Sequence, residues 1–116
     1  MKIVYAKLFM TEYNRSSSPE FPKTSKVVGI RIYTDEGIYG DGEVAGIHAT
    51  HGAFGLIKDM WPLIVGRDPF ENEVLWDQLM LRTFWGQNGG AFWYSAVSAI
   101  DLALWDIKSK ALGVPL

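Results

Sequence analysis

The stretch from Ser95 to Leu116, SAVSAIDLALWDIKSKALGVPL, constrains this chain more than any other. Ala96, Ala99, Ile100, Ala103, Leu104 and Ile107 fall on one stripe at helical spacing. Val97, Leu102, Trp105 and Leu112 lie elsewhere on the same helix. Gly113 supplies a C-terminal cap and Pro115 a breaker, so the helix carries its own stop signal. A helix that is apolar nearly all round is buried on several sides. The expectation is that one side packs on this domain and another on a body outside this sequence.

The segments before it supply the rest of one small domain. Met1 to Tyr13 alternates, with Ile3, Tyr5, Lys7 and Phe9 on one face and Val4, Ala6, Leu8 and Met10 on the other. That predicts a first strand buried on much of both sides. Asn14 to Ser25 has two prolines, many hydroxyls and no period, which predicts a long loop of the kind used as a lid. Lys26 to Thr34 is a second strand, Asp35-Glu36-Gly37 a hairpin turn, and Ile38 to Val44 a third strand. Gly40, Gly42 and Gly46 would let another backbone approach its end. Thr50 can cap a helix running to about Val65, with Pro62 kinking or ending its last turn. Gly66 then stops the chain and Asp68-Pro69 restarts it, with Glu71 completing a capping-box-like pattern. A second helix is expected to about Phe84, striped by Phe70, Val74, Leu75 and Leu79. A glycine-rich loop over Trp85–Gly90 and a closing helix over Ala91–Leu112 follow. Three strands and then three or more helices read as an α+β fold, a three-stranded antiparallel meander followed by a bundle of three to four helices.

Composition removes several function classes. A net charge of −2 without a Lys/Arg cluster argues against nucleic acid or an anionic membrane as partner. The absence of cysteine excludes disulfides, thiolate metal sites and a cysteine nucleophile, and fits a cytoplasmic location. No run approaches the roughly 18 apolar residues of a membrane span.

Three segments together resemble the N-terminal capping domain of the enolase superfamily, in its mandelate racemase and muconate lactonizing enzyme branch. They are the hairpin TDEGIYGDGE at 34–43, the turn IVGRDP at 64–69 and the closing segment at 95–116. The resemblance covers essentially the whole chain and implies that a modified (β/α)-barrel would begin where this sequence ends. It implies a division of labour. The barrel would bind Mg²⁺ and carry the bases that remove a proton α to a carboxylate, with the metal stabilising the enediolate. The capping domain would close over a small carboxylate substrate through two loops, corresponding here to about Asn14–Ser25 and Gly46–Gly52. Candidate substrate contacts are Arg15, Lys23, Ile47 and His48, with no catalytic or metal-binding residue in the 116. Polar loops favour an acid sugar and its dehydration. Racemisation, epimerisation and cycloisomerisation stay open. The full-length protein would be a homo-oligomer, and these residues alone would be inactive. A reading from another class is a stand-alone interaction module that dimerises through its apolar helix.

Other residues read structurally. Lys108-Ser109-Lys110 matches the family's Lys-x-Lys spelling, yet i and i+2 point apart on a helix, whereas on a barrel strand they share a face. His48 and His51 would need a third ligand, such as Asp41 or Glu43, to hold a metal. Asp41 and Glu43 share a strand face, and paired carboxylates can do acid–base work, but strand-end charges are commonly structural. Asp106 and Lys110 are spaced as an i, i+4 pair, and Asp101 sits in a buried-looking helix where it needs a partner across an interface. The aromatics from Trp85 to Tyr94 could wall a substrate pocket, but suit packing at a domain interface better.

Overall fold

The computed structural model describes residues 1–14, 24–44 and 50–116. β1 (Ile3–Asn14), β2 (Thr24–Thr34) and β3 (Tyr39–Glu43) form an antiparallel sheet in that order. The helices are α1 (Thr50–Ile64), α2 (Asn72–Leu81), α3 (Phe84–Asn88) and α4 (Ala91–Leu112), with a 3₁₀ turn at Pro69–Glu71. This is the expected α+β meander followed by helices.

The hairpin between β2 and β3 is set by local chemistry. Gly37 takes φ 79°, a region open to glycine at little steric cost. Thr34 Oγ1 donates to the Ile38 carbonyl at 2.7 Å, and Asp35 Oδ1 accepts from the Lys2 amide at 2.8 Å. The strands are longer than alternation alone indicated. Asn14 pairs with Thr24, and Tyr13 with Ser25, so three residues assigned to the loop belong to the β1–β2 ladder.

One face of the sheet is covered. Val28, Ile30 and Ile32 of β2 are buried beneath α4 and α1, joined by Ile57, Met60, Ile100, Leu104 and Ile107. The facing assignment for β1 needs correction. A bulge between Ile3 and Tyr5 shifts the register, so Ile3 is buried while Val4 and Tyr5 are both exposed. The bulge coincides with a tie to the α1–α2 turn, where the Ile3 amide donates to Arg67 O and the Gly66 amide donates to Ile3 O. Beyond it Tyr5, Phe9 and Tyr13 lie open to solvent, so within this chain β1 is covered on one side only.

The restart after α1 forms as spelled. Gly66 takes φ 81°, and Asp68 accepts from the Phe70 amide with Pro69 at the first position. The capping box does not close, because the Glu71 carboxylate turns to Arg67 at 3.4 Å. Leu75 and Leu79 are buried, but Val74 faces solvent, so the α2 stripe is narrower than expected. The second helix also stops early, at Leu81. Thr83 Oγ1 donates to Leu79 O and accepts from the Gly86 amide, which starts α3 where a glycine-rich loop was expected. Gly89 and Gly90, both at positive φ, then end it. α4 follows its expected bounds, with Gly113 at φ 67° closing its last turn.

Candidate functional site

The glycines of β3 decide how closely α4 lies on the sheet. A Cβ on Gly40 would strike Ala103 O, and one on Gly42 would strike Ala99 O. Glycine on the strand and alanine on the helix together let the two backbones touch. The long helix thereby becomes the edge cover of a strand whose outer backbone groups would otherwise be unpaired. Asp106 Oδ2 accepts from the Asp41 amide at 2.9 Å, and Lys110 Nζ donates to Tyr39 O at 2.8 Å. Lys110 and Asp106 also pair with each other at 2.6 Å, so the i, i+4 spacing forms the expected bridge.

On the open face of the sheet, Arg31 grips Asp41 through two bonds, of 2.6 and 2.9 Å. This hydrogen bonding raises the Arg31 pKa further above its ordinary value and lowers that of Asp41. The Tyr39 ring receives Arg31 at 4.2 Å and Lys110 at 4.5 Å, and Tyr5 stacks on Tyr33 at 4.3 Å. Asp41 is thus a structural carboxylate, as its strand-end position suggested. Lys108 is engaged as well, since its Nζ donates to Asn72 Oδ1 at 3.3 Å.

The four candidate substrate contacts, Arg15, Lys23, Ile47 and His48, lie outside the described residues, as does Gly46. The described chain fixes what flanks them. Asn14 and Thr24 are register partners at one end of the β1–β2 hairpin, and Val44 is tied to β2 by its amide at 2.9 Å from Val28 O. His51 sits in the first turn of α1, exposed, and Thr50 is the first residue of that helix, where a preceding loop and cap were expected.

The described residues do not fit a Mg²⁺ site. No group of three or more His, Asp or Glu among them is placed to hold a metal ion. Asp41 is taken by Arg31, Asp106 by Lys110, and Asp35 accepts from the Lys2 amide. Nor is any described helix long and apolar enough to cross a membrane.

α4 carries two surfaces. The stripe of Ala96, Ala99, Ile100, Ala103, Leu104 and Ile107 faces inward and is buried, and Val97 is buried with it. Its outer ridge exposes Leu102 at 42%, Trp105 at 39% and Leu112 at 59%, continued by Val114 and Leu116. Beside the ridge, Asp101 faces a hollow shared with α2, and burial raises its carboxyl pKa. The hollow also takes Asn72, Glu73, Trp76 and Asp77, none of which was singled out from sequence. Two spacings could have found it: Asp101 with Trp105 at i, i+4 on one helix, and Glu73, Trp76 and Asp77 on one face of another.

Residues 13–116 match the family model described as mandelate racemase / muconate lactonizing enzyme, N-terminal domain. The D-galactonate dehydratase of Verminephrobacter eiseniae is 39% identical over 87 residues, covering 75% of this chain and 22% of that protein. A crystal structure of an enolase-superfamily member from Salmonella Typhimurium superposes with a TM-score of 0.82 at 40% identity, over 98% of this chain and 28% of that one. The 3,6-anhydro-D-galactonate cycloisomerase of Zobellia galactanivorans superposes with a TM-score of 0.80 at 30% identity, over 97% of this chain and 29% of that one. The chain spans about a quarter of the length of the curated relatives it matches. With its glycine-faced β3, its capped α4 and a family match along nearly its whole length, this chain belongs to the mandelate racemase / muconate lactonizing enzyme N-terminal domain family of the enolase superfamily.

Proposed function

We propose that this chain is the substrate-capping and specificity domain of an enolase-superfamily acid-sugar dehydratase. The observation that carries the reading is the outer ridge of α4, where Leu102, Trp105 and Leu112 are exposed on a helix already buried on its inner side. Exposed large side chains in a row mark a surface that another body covers. Relatives about four times as long, among them a D-galactonate dehydratase, favour a barrel as that body. The reaction class is removal of the proton α to a carboxylate and loss of the β-hydroxyl as water. Mg²⁺ is assigned to the barrel, because the described residues lack a ligand set.

In this reading Arg15, Lys23, Ile47 and His48 contact the substrate from the cap. Arg15 and Lys23 offer cations to its carboxylate, and His48 offers hydrogen bonds to its hydroxyls. The enzyme is a cytoplasmic homo-oligomer, and the 116 residues alone are inactive. Cycloisomerisation is the second reading, favoured by the likeness to the Zobellia galactanivorans enzyme.

A chimera tests this. Residues 1–116 replace the matching quarter of the Verminephrobacter eiseniae dehydratase, and the product is assayed with Mg²⁺ against a panel of acid sugars. The expected result is turnover with a changed order of preference, lowered by His48→Ala or Arg15→Ala mainly through KM. A folded chimera that keeps the parent's preferences, or isolated residues 1–116 that dehydrate acid sugars, would refute the assignment.

A further inference from the structure

Between α2 and α4 lies a groove of about 380 Å³ lined by Asn72, Glu73, Trp76, Asp77, Asp101 and Trp105. Three carboxylates and two indoles share one hollow. No ion pair among the described residues involves Glu73, Asp77 or Asp101. The cation at its border, Lys108, meets two lining residues but pairs with none of the three carboxylates. Its Nζ donates to Asn72 Oδ1 at 3.3 Å and lies 5.0 Å from the Trp105 ring and 5.7 Å from Phe70.

A second observation comes from the groove's own lining. Asn72 is 1% exposed, and its Nδ2 is the one buried side-chain polar atom among the described residues with no hydrogen-bond partner. Buried donors are almost always satisfied, so this orphan leaves in the groove's lining a donor that an acceptor on a bound group would satisfy. The groove therefore asks for three things together: a cation for the carboxylates, a flat group for the indoles and an acceptor for Asn72.

We propose that the groove between α2 and α4 receives an arginine side chain from the polypeptide body that covers α4. A guanidinium is planar, stacks on indole and meets carboxylates through a fork of donors, which a compact ammonium cannot do. The peptide carbonyls beside that arginine supply the acceptor. Trp105 belongs both to the groove and to the outer ridge of α4, so a body docked on the ridge reaches the groove at its margin. Arginine and tryptophan are residues that concentrate binding energy at interfaces. The cost of burying the Asp101 charge falls when such a partner arrives. The inference rests on the reading that α4 is covered by a second body, and it adds the chemistry of the contact.

The test uses the chain itself, ¹⁵N-labelled, titrated with N-acetyl-L-arginine methylamide and separately with its neutral isostere N-acetyl-L-citrulline methylamide. Saturable shifts are expected at the Trp76 and Trp105 indole N–H and at the Asn72 side-chain amide, with Trp61 and Trp93 unmoved. Citrulline should bind at least tenfold more weakly. Asp101→Asn and, separately, Asp77→Asn should weaken arginine by a similar factor while the rest of the spectrum stays that of the folded chain. Equal shifts with both probes, or no saturable shift with arginine, would overturn the site. A flat titration beside an active chimera removes the arginine contact alone, and an inactive chimera leaves the titration result as it stands.

Discussion

At the scale of single residues, small side chains and one awkward carboxylate do most of the deciding. Gly42 has no room for a methyl group, because a Cβ there would meet the carbonyl of Ala99, which is backbone and cannot swing away. Gly42→Ala should therefore lower stability by about 1–3 kcal/mol, the usual range for overpacking, read as a shift in the urea midpoint. Asp101 behaves in the opposite sense. Burial raises its pKa, so the folded state holds its proton more firmly than the unfolded state does. Its charge thus opposes folding above the ordinary carboxylate range, and that penalty vanishes once pH falls below the unfolded value. Asp101→Asn is expected to raise Tm at pH 7 and leave Tm at pH 3 unchanged, as measured by thermal melts at both pH values. A residue that weakens the isolated fold in this way is typical of a site kept for binding. The close approach at Gly40 and Gly42 could be read from sequence, since glycine within a strand signals it. For the hollow beside Asp101 the sequence offers only the spacing within each helix; that the two faces meet was not legible, because they lie about 30 residues apart.

At the scale of elements, α4 and β3 form the joint that organises the chain. β3 is an edge strand, and α4 covers its free groups with Asp106 and Lys110. Asp106 serves both the Asp41 amide and Lys110, so Asp106→Ala removes two partners at once. A loss of about 1–2 kcal/mol is expected from chemical denaturation, the scale of a charge-assisted bond that is partly screened by solvent. The pair spacing of Asp106 and Lys110 was legible in the sequence, but its second task was not, because hydrogen bonds to an edge strand depend on how helix and sheet are set against each other. The two element corrections have different causes, one long-range and one local. The bulge at Ile3 coincides with a tie to Arg67 and Gly66, far along the chain, and it exchanges the faces of Ile3 and Val4 while the alternation from Tyr5 to Met10 stands. The break between α2 and α3 follows from Thr83 bonding both backward to Leu79 and forward to Gly86, a local choice that the apolar spacing did not reveal.

At the scale of the whole molecule, the chain has one finished side and one unfinished side. The finished side is the core between sheet and helices, where β2 supplies Val28, Ile30 and Ile32 and α4 supplies Ile100, Leu104 and Ile107. The unfinished side is the ridge of Leu102, Trp105 and Leu112. Isolated at high concentration, the chain should self-associate through that ridge, and Leu102→Glu with Leu112→Glu should return it to monomer with little change in Tm, as followed by sedimentation velocity. Unchanged association in the double variant would place the sticky surface elsewhere. The sequence by itself determined the three strands, the first and closing helices, the turn at Gly37, the restart at Asp68, the cap at Gly113 and the doubly apolar character of the closing helix, because each depends on residues within a turn or two of one another. Only the tertiary structure decided which side of α4 faces inward, which carboxylates are taken and which stay open, and that α2 and α4 share an acidic hollow. Those outcomes depend on distances between segments far apart in the chain, which are set by packing rather than by local spacing.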